Sequence, residues 1–190
     1  MKLYPLFYSA IAVIVLTSCT SPEIPPQPPA NTNQVSQSQK VVTLDENFKI
    51  VMGQTIYVPV YSQIYHGDGK RIFNLAATLS IRNTDLTNPI IINSVRYYDS
   101  NGKLVKQYLE RPIQLATLAS TDFVIDRTDN SGGLGANFIV EWVAQTEVSE
   151  PVIEAVIIGT DFQQGISFIS PGRVIKSQNN HKRSSSVQGS

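Results

Sequence analysis

Between Phe73 and Arg82 the chain alternates without a break. Phe73, Leu75, Ala77, Leu79 and Ile81 are separated by the smaller or polar Asn74, Ala76, Thr78, Ser80 and Arg82. A side-chain period of two belongs to an extended strand with one face buried, because successive residues of a strand point to opposite sides of the sheet. Asn83-Thr84-Asp85 and Asn88-Pro89 follow at once, residues that favour turns and caps over strand interiors. A helix is therefore excluded for the best-patterned stretch of the chain.

The same grammar repeats downstream. Ile90 to Tyr98 is rich in Ile and Val, and Asp99-Ser100-Asn101-Gly102 is a hairpin signal because Asn-Gly tolerates the positive φ of a tight turn. Lys103 to Leu109 supplies its partner strand. Pro112 marks a break, and Thr121 to Asp126 predicts a short strand with Phe123 and Ile125 inward. The loop Asp129-Asn130-Ser131-Gly132-Gly133 leads to Ala136–Ala144, with Phe138, Val140 and Trp142 on one face. Val152 to Ile158 is a continuous apolar run, which predicts a strand covered on both sides, and Ile166 to Ile169 predicts a last short strand. Outside the N-terminal segment no window shows a 3.6-residue stripe. Short strands divided by Gly, Pro, Asn and Asp turns predict an all-β fold, an antiparallel immunoglobulin-like β-sandwich of about seven to nine strands. A small barrel is the alternative. The Cys…Trp…Cys pattern of antibody domains is absent, since the chain has one cysteine.

That cysteine lies in an informative place. Met1-Lys2 gives a positive start, and Leu6 to Leu16 is apolar apart from Tyr8 and Ser9. The run has the length of a signal-peptide core and falls short of the roughly 20 residues of a spanning helix. It ends in Leu16-Thr17-Ser18-Cys19, which resembles the bacterial lipobox: an aliphatic residue, two small residues, and the cysteine that is acylated and becomes N-terminal after cleavage. A buried helix with an incidental cysteine is the alternative, and it fits poorly with the proline-rich sequence that comes next. Thr20 does not resemble the aspartate of an inner-membrane retention signal. From Thr20 to Lys40 there is no aromatic residue, and Pro22, Pro25, Pro26, Pro28 and Pro29 sit among Ser, Thr, Asn and Gln. Such a composition buries too little apolar area to offset ordering entropy and predicts a tether.

The expected organisation is a lipoprotein signal peptide at 1–18, an acylated Cys19 with a flexible tether at 19–52, a β-sandwich at 53–175 and a polar, basic tail at 176–190. Val41 to Met52 is a lead-in with the option of pairing at a sheet edge. Fifteen basic residues balance fifteen acidic ones, which argues against a nucleic-acid binder that works by neutralising phosphates.

Several segments look like one bacterial family. They are Gly53-Gln54-Thr55-Ile56-Tyr57-Val58-Pro59-Val60-Tyr61-Ser62, Ile64-Tyr65-His66-Gly67-Asp68, Leu79-Ser80-Ile81-Arg82-Asn83-Thr84-Asp85, Tyr97-Tyr98-Asp99 with Gly102-Lys103-Leu104-Val105, Gly132-Gly133 through Trp142, and Gln164-Gly165-Ile166-Ser167-Phe168. The resemblance runs from about Gly53 to Ile175. The family is a domain of unknown function found in small bacterial envelope proteins, so the resemblance implies a location and no activity, cofactor or catalytic residue. The middle segment also looks like small immunoglobulin-like envelope domains, a likeness of fold that does not supply function.

Catalytic chemistry finds little footing. Within the domain His66 is the only histidine, in a His-Gly-Asp-Gly turn with no nucleophile-elbow motif near it. Glu110, Asp122, Asp126, Asp129, Glu141 and Glu154 show no spacing that selects an acid–base pair. Asp126, Asp129 and Asn130 share one loop and are the weak candidates for a hard cation, though they depart from the calcium-loop pattern. Gly132-Gly133-Leu134-Gly135 leads into a strand rather than a helix, which favours a tight turn over a phosphate cradle. The first strand offers more. Ile56, Val58 and Val60 alternate with Tyr57, Pro59 and Tyr61, and Tyr65 lies further on. Proline cannot donate to a ladder, so the pattern predicts an edge strand whose tyrosines offer a docking surface; the alternative is that they only cover the sheet, or that Val41–Met52 folds over them.

The sequence thus predicts an envelope lipoprotein held to a membrane through the acylated Cys19, on the extracytoplasmic side. Its expected role is that of a non-catalytic binding or assembly module, with no catalytic residues, no cofactor and no nucleic acid. Its expected partners are membrane lipid and another envelope protein, with Tyr57, Tyr61 and Tyr65 as binding residues. The alternative is a cation-dependent binder or hydrolase of a cell-envelope polymer.

Overall fold

The computed structural model describes residues 39–44, 48–161 and 164–179. Cys19, the apolar segment before it and the proline cluster after it lie outside the described residues, as does the tail beyond 179. The described part is all-β, with strands β1 (Gln39–Val41), β2 (Met52–Pro59), β3 (Gln63–His66), β4 (Arg71–Asn74), β5 (Ala76–Arg82), β6 (Ile90–Tyr98) and β7 (Leu104–Gln107). The series continues with β8 (Ile113–Leu115), β9 (Ser120–Ile125), β10 (Asn137–Ala144), β11 (Val152–Asp161), β12 (Gln164–Pro171) and β13 (Arg173–Asn179). The larger sheet has the order β1-β8-β6-β10-β2-β13, with β7 also pairing β6, and the smaller has the order β12-β11-β5-β9. β3 and β4 form a separate hairpin. Every pairing is antiparallel. The architecture is the expected sandwich, and the sheets do not close into a barrel.

The core lies between the two inner faces. On the larger sheet, register places Ile56, Val140 and Val95 in one inward row and Val58, Phe138 and Tyr97 in the next. On the smaller sheet the rows are Ile157, Ala77, Ile125 and Ala155, Leu79, Phe123. All of these are buried except the partly covered Phe123. Each large aliphatic contributes roughly 1.5–3 kcal/mol through removal from water. The rings of Tyr97, Phe138, Tyr108 and Phe123 pack in a chain with centroids 5.3–5.7 Å apart.

Several expectations are corrected. The stretch from 73 to 82 is two strands rather than one, parted at Leu75, where β4 turns away to pair β3 while β5 pairs β11 and β9. β11 is covered on one face only: Ile153, Ala155 and Ile157 are buried, whereas Val152 and Ile158 are exposed on the outer face of the smaller sheet. The first strand is no edge, because β2 is flanked by β10 and β13. Its proline is tolerated for a local reason. Val60 N–H donates to Ala136 of the β10 side (2.9 Å), so the nitrogen of Pro59 points the other way, and there the ladder with β13 has ended at the pair Arg173–Tyr57. The strand count also exceeds the expected seven to nine. β1 lies in the lead-in to the domain, and β13 carries the fold to Asn179, past the expected boundary at 175.

Candidate functional site

At one end of the sandwich the Asn-Thr-Asp motif ties the connection between β5 and β6 to two other loops. Asn83 is buried, and its Nδ2 donates to the carbonyls of Asn88 (2.9 Å) and Ala116 (3.0 Å), with Leu115 at 3.4 Å. Its Oδ1 accepts from Asp85 N–H (3.0 Å). Asp85 Oδ1 accepts from the N–H groups of Thr87 (2.9 Å) and Asn88 (2.7 Å), and Oδ2 from that of Ser149 (2.9 Å). The Ser149 contact first, then those of Thr87 and Asn88, hold the Asp85 carboxyl well below the usual carboxylate range. Thr84 Oγ1 donates to Glu150 O (2.8 Å). These polar side chains are consumed by structure.

The opposite end is tied in the same manner. Ser100 N–H and its hydroxyl both donate to Gly132 O (3.0 Å each), Gly135 N–H donates to Ser100 Oγ (2.8 Å), and Ser62 Oγ donates to Gly133 O (3.1 Å). Gly132 is required by space: a Cβ there would stand 1.8 Å from the Tyr97 hydroxyl oxygen. That hydroxyl is buried without a hydrogen bond of ordinary geometry, and burial, first among the causes, raises its pKa. Asp99 Oδ1 accepts from the N–H groups of Asn101 and Lys103, which closes the hairpin around Gly102 at φ 76°. The glycine run forms one turn of 3-10 helix, Gly133–Gly135, before β10.

The weak cation candidates are spent locally too. Asp126 Oδ1 accepts from the N–H and hydroxyl of Thr128, and Asp129 Oδ1 from the N–H and hydroxyl of Ser131, each carboxylate closing its own turn. Among the described residues no group of three His, Cys, Asp or Glu side chains is placed to hold a metal ion. His66 is exposed at the end of β3, its ring edge-on to Phe73 at 6.0 Å. Glu141 is engaged with Arg96 Nη2 (2.8 Å) and Ser94 Oγ (2.7 Å) on the outer face of the larger sheet.

The three tyrosines part company. Tyr57 is half-buried on the outer face of β2, between Ile139 and Arg173 in register. Tyr65 is 54% exposed on the hairpin, opposite Ile72 at 53%. Tyr61, 37% exposed, lines a groove of about 310 Å³ with Pro59, Phe168, Ile169, Ser170, Pro171 and Arg173. Its ring meets Phe168 edge-on at 6.0 Å. The groove exists because two ladders end beside one another. β12 stops at Pro171, Gly172 crosses to the other sheet with its N–H bonded to Ile153 O (2.9 Å), and β13 begins at Arg173. The crossing leaves no room for a side chain, since a Cβ on Gly172 would meet Ile56 Cγ2 at 2.6 Å and Ile153 O at 2.7 Å. Phe168, Pro171 and Arg173 are the residues that sequence reasoning missed. The dipeptide Pro171-Gly172 between two apolar runs was the signal available.

The groove therefore combines an aromatic wall, two prolines and one guanidinium at its rim. Among the described residues no salt bridge involves Arg173. Such a surface can take an apolar side chain and a carboxylate in one extended segment.

A comparison with curated proteins found no match. The crystal structure of Thermotoga maritima 1070 is similar at 12% identity and a TM-score of 0.40, over 63% of this chain and 92% of that one, a likeness too distant to carry an argument. Residues 53–175 match the family described as "Protein of unknown function (DUF3124)". The match spans more than half of the chain, from the first residues of β2 into β13, and the chain belongs to that family.

Proposed function

We propose that this chain is a membrane-anchored envelope lipoprotein whose sandwich serves as a non-catalytic docking module. Acylated Cys19 holds it to the membrane, the proline-rich segment spaces the domain from the surface, and the groove beside Tyr61 receives another envelope protein. The occupant is an extended segment that places an apolar side chain against Tyr61 and Phe168 and a carboxylate on Arg173. The groove itself carries this reading, as the place where the Arg173 guanidinium, which has no acidic partner among the described residues, adjoins an exposed aromatic wall. The spending of the motif side chains on loop closure supports it, because Asn83, Asp85, Ser100 and Asp99 are left with structural work alone. Buried acyl carbons contribute about 0.8 kcal/mol each, enough with two or more chains for a stable anchor without a spanning helix.

The test is a photo-crosslinking amino acid at position 61 of the full-length chain in intact cells. One saturable partner is expected, crosslinked through a peptide that carries Asp or Glu beside an apolar residue, and lost in Arg173→Glu and in Cys19→Ala. An unchanged yield in Arg173→Glu, or a captured peptide without a carboxylate, contradicts the reading.

A further inference from the structure

Outer strands of natural sheets carry charges that discourage edge-to-edge pairing. The outer strands of the two larger sheets follow the rule with one exception. β9 carries Asp122, β13 carries Arg173 and Lys176, β1 carries Lys40 and β7 carries Lys106. β12, the outer strand of the smaller sheet, is eight residues long and reads Gln-Gly-Ile-Ser-Phe-Ile-Ser-Pro, with no charge at all. Among the described residues no strand pairs with its outer side.

The hydrogen-bonding direction of that edge follows from the structure. Gly172 N–H bonds to Ile153 O of β11, and alternate residues of an antiparallel strand bond to the same neighbour. Even-numbered residues of β12 therefore face β11, and Gly165, Ser167, Ile169 and Pro171 direct their backbone groups outward. Proline has no N–H to offer, so a partner strand uses the stretch from Gly165 to Ile169 in full. Side chains divide the other way between the faces. Ile166 and Phe168 share the inner face with Gly159 and Ile157, while Ser167 and Ile169 share the outer face with Ile158 and Val156. Ile169 is 59% exposed and Ile166 is 39% exposed.

We infer that β12 pairs with β12 of a second copy of this chain, antiparallel about a two-fold axis through Ser167. In this register Ser167 faces Ser167 and Gly165 faces Ile169, so every outward donor of the stretch is used, in about six hydrogen bonds between the copies. The intervening pairs, which lack mutual hydrogen bonds and so bring side chains closest, set Ile166 against Phe168 twice, an aliphatic β-branched residue on an aromatic ring. The small Gly165 leaves space for the exposed Ile169. A second copy fits because the edge is complementary to itself and carries no charge to repel its twin. The two smaller sheets then run on as one sheet, twice the 4-stranded width. This pairing uses the backbone of β12 and does not depend on Arg173 or on the membrane anchor.

The test uses the full-length chain in detergent, with two distinguishable tags. Wild type is expected to co-purify with itself and to have the mass of a dimer by light scattering. Ser167→Lys alone and Ser167→Asp alone each set like charges face to face and weaken association by roughly fivefold or more, while mixing the two restores it. Because Ser167 is exposed, both variants keep the wild-type circular dichroism spectrum, and each melts at the temperature of wild type diluted to its monomer. Ser167→Cys places two cysteines about 5.5 Å apart between Cα atoms, within disulfide reach, and peptide mapping identifies a 167–167 link apart from any link to Cys19. A monomeric wild type, an undiminished dimer in Ser167→Lys, no rescue by mixing, or a position-167 link only to a different protein each overturns the inference.

Discussion

Asn83→Ala is the substitution that best separates a structural motif from a functional one. The buried side chain donates to two carbonyls at 2.9 and 3.0 Å and accepts from one N–H at 3.0 Å. Truncation leaves the carbonyl of Asn88 and the N–H of Asp85 without this partner, while Ala116 O keeps the N–H of Ala119 (3.1 Å). Each buried group left unsatisfied costs about 1–3 kcal/mol, and the partial access of water to Asn88 keeps its share at the low end, for a total of about 3 kcal/mol. Against a total stability of roughly 5–15 kcal/mol that is a large fraction. With an unfolding entropy near 2.1 cal/mol/K per residue over about 130 residues, the melting temperature falls by about 11 °C. Circular dichroism melts and urea titration followed by Trp142 fluorescence measure both quantities. Asn83→Asp keeps the shape but turns an oxygen toward the carbonyls that Nδ2 serves, so it is expected to be at least as unstable as the alanine. A loss below about 1 kcal/mol, together with disappearance of the position-61 crosslink, refutes the structural assignment.

Gly132→Ala drives a methyl group into the Tyr97 ring and is expected to cost about 1–3 kcal/mol in a urea titration, whereas Gly69→Ala, in open space at the hairpin tip, acts only through its positive φ. Asp85 imposes a pH dependence of definite sign. Its folded pKa lies below the ordinary aspartate value of 3.8, so its stabilisation is complete above that value and is lost as pH falls below it, and Asp85→Asn flattens the acid limb of a melting-temperature profile. Glu141→Gln removes a partly exposed ion pair, with side chains 30% and 34% exposed, and lowers stability by less than about 1 kcal/mol in the same assay. Tyr108, pushed up to about 12 first by burial and then by the Asp129 charge, stays protonated in an ultraviolet titration at pH values where exposed tyrosines ionise.

Much of the fold was legible where one face of a strand is wet. The alternation that put Leu75, Ala77, Leu79 and Ile81 inward holds in the structure, as does the shared face of Phe138, Val140 and Trp142. Turn chemistry was equally readable, because Asp99 and Gly102 act through their own backbone neighbours. Long-range neighbours were not. Nothing local distinguishes a proline on an edge from one beside a ladder that has just ended, which is how β2 came to be read as an edge when β13, far along the chain, lies beside it. The apolar run of β11 looked doubly buried, because sequence cannot tell a covered outer face from a bare one. The groove was half legible: Pro59 and Tyr61 stood out in the first strand, while Phe168 and Arg173 join them only through the crossing at Gly172.

The functional reading stands on where the chain is held, and one measurement reaches that directly. The mature protein, extracted from the membrane fraction of its native cells, should yield an N-terminal peptide that begins at Cys19 and carries the mass of a diacylglyceryl group, with or without a further acyl chain on its amine. A mature chain that retains residues 1–18, or one whose Cys19 is unmodified in the soluble fraction, contradicts the account.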